Sequence, residues 1–217
     1  MTRRSGYDDP AAFPRRLSRG RAFVYVLGCR DDTLFKIGFT RDPMDRWRTL
    51  HTRFFEFFGL DQGILVATEK VSQARALERR LLEAFADCRA LAPLAVRETA
   101  GGHSEWFRGA LQEAVDAARE TASRHAWSWQ RPDEWMRSAL SARRDLLFAW
   151  SAAMLEALEY ERHNAPAGSA PAGTVYERAL VDALDAFAAV GLDVADAVPD
   201  RVRRWHAARR LDESGRP

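Results

Sequence analysis

The segment Ala22-Phe-Val-Tyr-Val-Leu27, followed closely by Leu34-Phe-Lys-Ile-Gly-Phe39, decides the fold. The first segment is apolar on both faces and rich in β-branched and aromatic residues, which predicts a strand in the middle of its sheet. The turn-prone residues Gly28-Cys-Arg-Asp-Asp32 lie between the two segments. The sequence therefore predicts a β-hairpin with a loop of about five residues.

Further elements follow the hairpin. Asp42 and Pro43 predict the start of a helix, with the aspartate as N-cap and the proline at the first helical position. Residues 63–68 predict a third strand, residues 72–87 a strongly periodic helix, and residues 105–121 another helix. We therefore expect an α/β (α+β) fold with a small three-stranded antiparallel sheet flanked by helices, followed by an all-helical C-terminal region.

Composition changes along the chain and divides it into three parts. Residues 1–20 mix Arg, Gly, Pro and Asp without periodicity, which predicts a flexible basic arm. Residues 21–122 are expected to form the folded domain that contains the hairpin. Residues 123–217 are expected to be helical, with a flexible linker near 164–174 where Ala, Pro and Gly dominate. Helices are predicted there at 132–162, 175–190 and 201–211.

Composition also excludes some classes of protein. The 217 residues are 47% hydrophobic, enough for a core, and the net charge of +2 argues neither for nor against a polyanionic partner. Cys29 and Cys88 are the only cysteines and have no CxxC spacing, so neither a structural zinc site nor a disulfide framework is expected. No apolar run approaches membrane-spanning length, and with two free thiols this predicts a cytoplasmic protein.

Glu78 is the residue that first points to chemistry. It projects into the middle of the apolar stripe of the predicted helix 72–87, which consists of Ala74, Leu77, Leu81, Leu82 and Phe85. A carboxylate in that position must be solvated by a cleft, paired with a cation or bound to a metal. Two interpretations stay open, a structural ion pair with an arginine and a metal ligand at the bottom of a cleft.

The hairpin contributes two further polar side chains. Tyr25 and Lys36 emerge from neighbouring strands, and Gly38 leaves backbone room beside them, so the three could form a polar floor. The alternative for Tyr25 is a core position with its hydroxyl at the rim. The alternative for Lys36 is a side chain that extends to solvent. Arg46, on the helix after Asp42, is by itself an ordinary surface arginine.

The order of these residues is more specific than any one of them. Phe23–Tyr25 is followed by Lys36–Gly38, then by Arg46, and Glu78 lies on a later helix. This pattern resembles the GIY-YIG endonuclease superfamily, and most of all the branch named for a bacteriophage T5 DNA-binding open reading frame. That branch has a lysine in place of the second-motif tyrosine and ends in a motif similar to Ser104–Phe107. The resemblance covers residues 21–109.

The resemblance implies a role for each matching residue. Tyr25 corresponds to a tyrosine that acts as general base or positions the attacking water, and Lys36 would share proton transfer with it. Arg46 corresponds to the arginine that neutralises the scissile phosphate. Glu78 corresponds to the carboxylate that binds one divalent cation, Mg²⁺ or Mn²⁺. Gly38 matches the second-motif glycine, and the expected activity is metal-dependent hydrolysis of DNA.

The chain departs from that pattern in several places. The first motif begins with Phe23 rather than glycine. Many members have a histidine four residues after the arginine, whereas this chain has Leu50 there and His51 one position later. His51 and also His103, in a Gly-Gly turn, are therefore additional candidates for the site. Glu105 is interpreted as the first residue of a helix, where the helix dipole favours a carboxylate.

The C-terminal region offers no motif for a specific reader of nucleic acid. Its last predicted helix is basic, and this face either is solvated or adds sequence-independent affinity for phosphates. The helices are also expected to offer a surface for a protein partner or for self-association. Two functions besides DNA cleavage stay open, a non-cleaving DNA-binding module of the same fold and a helical interaction protein in which the small domain is a scaffold.

Overall fold

A computed structural model describes residues 20–165 and 174–214 of the chain. The chain forms two compact units, and the division between them follows Ser138. The predicted basic arm, apart from Gly20, lies outside the described residues. Most of the linker predicted near 164–174 lies outside them as well.

The first unit is built on a five-stranded sheet in which all neighbours are antiparallel. The strand order is β4-β2-β1-β3-β5, with β1 at Ala22–Gly28, β2 at Leu34–Thr40, β3 at Ile64–Thr68, β4 at Trp106–Arg108 and β5 at Trp129–Gln130. The central position predicted for the first strand is confirmed, since β1 is the middle strand and all seven of its residues are buried.

The prediction of a three-stranded sheet was wrong by two strands. β4 lies where the sequence predicted the start of a helix at Glu105, and β5 lies in the region predicted to be all-helical. Strands of three and two residues are too short to show an alternating pattern. Their conformation is fixed by pairing with β2 and β3, which is a tertiary effect.

Five helices accompany the sheet: α1 at Pro43–Leu50, α2 at Phe54–Phe57, α3 at Val71–Ala84, α4 at Leu111–Arg124 and α5 at Pro132–Ser141. The predicted N-cap of α1 is confirmed, because the Asp42 side chain accepts a hydrogen bond from the backbone N–H of Asp45. α3 begins at Val71 with Lys70 in the N-cap position and ends at Ala84, so the helix predicted over residues 72–87 begins one residue earlier and ends three residues earlier.

Different side chains pack on the two faces of the sheet. Helices α3 and α4 pack on one face, in a core that includes Val26, Ile37 and Leu77. Strand alternation sends Tyr25 and Lys36 to the other face, where Tyr25 meets the buried ring of Trp47 edge-on, with 6.3 Å between ring centroids. The polar residues of the hairpin therefore share a face with Trp47 and lie on the side of the sheet opposite the core formed with α3 and α4.

The second unit is helical in the part that the structure describes. The long helix predicted over 132–162 is interrupted, because α5 ends at Ser141 and α6 covers Arg144–His163. α7 at Val175–Ala189 and α8 at Asp200–Ser214 follow, and the buried Glu177 pairs with Arg162 and Arg209. None of the helices in the described ranges combines the length and apolar character needed to cross a membrane.

Replacing Gly38 by alanine tests whether the sheet needs an open position beside Tyr25. A Cβ at Gly38 would lie 2.6 Å from Cζ of Tyr25, and overpacking of this kind costs about 1–3 kcal/mol. We expect Gly38→Ala to lower the free energy of unfolding by that amount in urea titrations. Gly59→Ala is the matched control, because its Cβ would make only ordinary contacts, the nearest at 3.5 Å. Equal losses in both variants would contradict the close approach.

Candidate functional site

Tyr25 and Gly38 form the centre of the site. They face each other across the β1–β2 ladder, and the space left by the missing Gly38 side chain is filled by the tyrosine ring. The Tyr25 side chain is fully buried. Burial raises the pKa of its hydroxyl to about 12, although the charge of Arg46 and a hydrogen bond from it act in the opposite direction. The phenol therefore keeps its proton at neutral pH.

Arg46 reaches this phenol from α1. The Asp42 cap and Pro43 start the helix directly after β2, so the guanidinium of Arg46 is directed back over the sheet. Its Nε donates a hydrogen bond to the Tyr25 hydroxyl at 3.3 Å. Its Nη1 donates to the carbonyl of Ala100 at 2.5 Å, and its Nη2 makes a longer bond of 3.4 Å to the carbonyl of Gly101. Arg46 thus links the hairpin to the loop that precedes β4.

Lys36 is a buried ammonium with three partners. Its side chain is 0% exposed, and Nζ donates to the carbonyls of Ile37 and Gly102 at 3.1 and 2.9 Å and to Oε2 of Glu105 at 2.5 Å. These bonds use all three ammonium hydrogens. Burial lowers the pKa of Lys36 to about 8, while the Glu105 carboxylate opposes that change. The alternative in which Lys36 extends to solvent is excluded.

Glu78 approaches the site from the core side of α3. Leu77 and Leu81 beside it are buried, and burial of a leucine contributes about 2 kcal/mol, which offsets the cost of a half-buried carboxylate. The backbone N–H of Phe39 donates a hydrogen bond to Glu78, and burial, then the charge of Glu105, raise its pKa. Among the described residues no arginine forms an ion pair with Glu78, so this part of the chain gives no support to the ion-pair interpretation.

Glu105 is a member of the cluster that the sequence did not indicate. It lies directly before β4 rather than at the start of a helix, and its backbone carbonyl accepts from the N–H of Ile37 at 3.1 Å. Its carboxylate pairs with Lys36. No periodic pattern marks this position, because the pairing of β4 with β2 is what brings Glu105 to the site.

Gly102 provides the space in which the charged groups meet. Its φ of 70° lies in the left-handed region that favours glycine. A Cβ at this position would lie 2.6 Å from Oε2 of Glu105, 2.9 Å from Nζ of Lys36 and 3.0 Å from Nη2 of Arg46. The two cations and one carboxylate therefore surround a single point beside the Gly102 backbone.

The two histidine candidates have other contacts. The ring of His51 stacks on Phe57, with 4.6 Å between centroids, and its buried Nδ1 has no partner among the described residues. His103 is exposed, and its Nε2 shares a hydrogen bond with the carbonyl of Glu98 at 2.9 Å. In the part of the chain that the structure describes, no hydrogen bond or ion pair joins either ring to Tyr25 or Glu78.

The carboxylates of the site suit a metal ion that takes few of its ligands from the protein. Within residues 20–165 and 174–214, no three His, Cys, Asp or Glu side chains are grouped so that they could hold a metal together. That excludes a closed site of the zinc type from the described part. Mg²⁺ commonly uses one or two carboxylates and completes its octahedron with water and substrate phosphate. Glu78, whose carboxylate forms no ion pair with any cation in the described ranges, fits that type of site.

The comparisons with known proteins concern this same region. Residues 22–122 match the family model of the T5orf172 domain. The match runs from β1 into α4 and includes Tyr25, Lys36, Arg46, Glu78 and Glu105. Neither the curated proteins nor the solved structures that were searched gave a match. The first unit is therefore similar to this family over the segments that form the site.

Replacing Gly102 by alanine tests the crowding at this point. Gly101 has a similar φ of 66° but open space around its Cβ position, so Gly101→Ala is the matched control. Both variants carry the strain of an alanine at a positive φ, about 1–3 kcal/mol. We expect Gly102→Ala to lose more stability in urea titrations, because its methyl group also displaces charged side chains. Losses of the same size would show that the three groups do not crowd Gly102.

The pKa of Tyr25 predicts a loss of stability at high pH. Between pH 10 and pH 12 the unfolded tyrosine releases its proton while the folded one, with a pKa of about 12, retains it. The stabilisation is complete below pH 10 and lost as the pH rises towards 12, with a limit of about 2–3 kcal/mol. Unfolding free energies at pH 9 and 11.5 should fall more for the wild type than for Tyr25→Phe. A parallel decline would argue against a buried, protonated phenol.

Proposed function

We propose that the first unit is a metal-dependent endonuclease of the GIY-YIG type that hydrolyses DNA phosphodiester bonds with a single divalent cation, Mg²⁺ or Mn²⁺. The supporting observation is the convergence of a guanidinium, a protonated phenol and a half-buried carboxylate that forms no ion pair within the part of the chain that the structure describes. The match to the T5orf172 domain is compatible with a nuclease-like or DNA-binding module. A magnesium-like ion is the proposed cofactor because it commonly needs only one or two protein carboxylates.

Arg46 is assigned to the scissile phosphate. Its Nε and Nη1 are engaged by Tyr25 and Ala100, which hold the planar group in place. To the residues that the structure describes, Nη2 makes one long bond, to Gly101, and Arg46 is partly exposed, so this end can donate to a phosphate oxygen. A preoriented guanidinium stabilises the extra negative charge of the transition state without reorganising during the reaction.

Glu78 is assigned to the metal. The Phe39 N–H orients its carboxylate, and the partly buried surroundings strengthen its attraction for a cation. A bound divalent cation would supply charge neutralisation on the phosphate and a water of lowered pKa. Because the charge of nearby Glu105 raises the pKa of Glu78, a cation also relieves the repulsion between the two carboxylates.

Tyr25 and Lys36 are assigned positioning tasks. With a pKa of about 12 and no exposed surface, the Tyr25 phenol would position Arg46 by accepting the hydrogen bond from its Nε and would not act as a phenolate. The Lys36 ammonium, with its three hydrogens engaged, would hold the loop that carries Gly102 and Glu105. Proton transfer by Lys36, which the family resemblance implied, is therefore not part of this proposal.

One observation favours a second candidate, a DNA-binding module of the same fold that does not cleave. The loop carbonyls of Ala100, Gly101 and Gly102 already accept hydrogen bonds from both cations. If phosphate contacts cannot replace these bonds, the unit would bind a DNA backbone without activating it. The two candidates differ in whether DNA is cut when a divalent cation is present.

Substituting the proposed metal ligand separates the two candidates. Glu78→Gln keeps the shape of the side chain and removes its charge, so we expect plasmid cleavage with Mg²⁺ or Mn²⁺ to fall by about a hundredfold or more. Glu83→Gln is the matched control, since Glu83 lies on the same helix with a side chain 73% exposed, and should cleave like the wild type. Undiminished cleavage by Glu78→Gln would refute the proposal, and DNA binding by a wild type that does not cut would support the second candidate.

A further inference from the structure

We propose that Glu105 is a positioning residue of this site: by pairing with Lys36 it cancels the ammonium charge near Glu78 and so permits a divalent cation to bind there. The inference rests on the proposed function and deepens it. It assigns a role to the carboxylate of Glu105, which lies in the centre of the cluster but is not proposed to bind the metal or the phosphate.

Glu105 lies within reach of two cations. The point beside Gly102 that is 2.6 Å from its Oε2 is also 2.9 Å from Nζ of Lys36 and 3.0 Å from Nη2 of Arg46. The carboxylate makes its ion pair with Lys36, at 2.5 Å. Among the described residues it forms no ion pair with Arg46. Within residues 20–165 and 174–214, Lys36 therefore has a carboxylate in an ion pair and Arg46 has none.

Burial explains which cation Glu105 pairs with. The Lys36 side chain is 0% exposed, whereas that of Glu105 is 26% exposed and Arg46 is partly exposed. Water screens a charge at the surface far more than one in the interior. An ammonium out of contact with water consequently gains more from a nearby carboxylate than a hydrated guanidinium does, and it is costly to leave without one.

The pairing sets the net charge that an approaching metal ion meets. Lys36, Arg46, Glu78 and Glu105 together carry no net charge, whereas without Glu105 the remaining three carry +1. Both members of the pair affect Glu78, the proposed metal ligand: the charge of Glu105 raises the pKa of Glu78, and the charge of Lys36 lowers it. An uncompensated Lys36 would repel a dication from Glu78 and attract its carboxylate.

A double-mutant cycle on the full chain tests this role. The proteins are the wild type, Glu105→Gln, Lys36→Met and the double variant, and the measurements are the Mn²⁺ binding isotherm and the Mg²⁺ concentration for half-maximal cleavage. One unit of charge close to a dication should shift both by about tenfold. We expect Glu105→Gln to bind the ion more weakly, Lys36→Met to bind it more tightly, and the double variant to return towards the wild type.

A matched control removes an ion pair elsewhere on the same sheet. Arg108 of β4 pairs with Asp32 at 2.6 Å, with both side chains largely exposed, so Asp32→Asn should leave the metal dependence unchanged. A purely structural role for Glu105 would lower stability or kcat at an unchanged metal requirement, and that result would overturn the inference. A double variant as weak as Glu105→Gln would overturn it as well.

The design separates failure of this inference from failure of the proposed function. A wild type that cuts DNA while the cycle shows no compensation refutes the role of Glu105 alone. A wild type that binds Mn²⁺ without cutting refutes the proposed function, and the binding isotherms then decide the role of Glu105. A wild type that binds no Mn²⁺ refutes both. If Glu105→Gln does not fold, the two variants that lack Lys36 can still be compared. We then expect Lys36→Met to bind Mn²⁺ more tightly than the double variant does. Equal binding by the two would contradict the role of Glu105.

Discussion

A lysine ammonium buried in the middle of a sheet imposes the constraint from which the site follows. Lys36 lies on β2 with no access to water, and an ammonium there is tolerated only if its hydrogens find acceptors and its charge finds a partner. The partners are the carbonyls of Ile37 and Gly102 and the carboxylate of Glu105. Satisfying Lys36 thus fastens the loop before β4 to the sheet, and that loop in turn holds Arg46 through the carbonyls of Ala100 and Gly101.

The remaining groups reach the same place by ordinary packing. The hydrophobic core on the other face of the sheet fixes α3, and burial of Leu77 and Leu81 brings Glu78 to the end of β2, where the Phe39 N–H donates a hydrogen bond to its carboxylate. Strong hydrophobic burial thereby supports a half-buried charge that would be unfavourable alone. Each charged group of the site is positioned by a different segment, so the cluster exists only when the whole unit is folded.

The sequence correctly predicted the features that depend on residues close together in the chain. The hairpin follows from apolar patterning, the start of α1 from an Asp-Pro pair, and the open position at Gly38 from the absence of a side chain opposite Tyr25. The prediction failed for β4 and β5, which consist of three and two residues. It also missed Glu105, since a carboxylate before an aromatic pair gives no indication of which strand that pair will join.

The sequence by itself determined the central strand, the polar residues on the hairpin and the placement of Glu78 on an otherwise apolar helix face, because hydrophobic periodicity and side-chain volume act within a few residues. Only the tertiary structure decided which charges meet. Lys36 and Glu105 are 69 residues apart and Arg46 and Ala100 are 54 apart. Contacts over such separations depend on strand order and on desolvation in the folded unit. A pattern of neighbouring residues predicts neither of them.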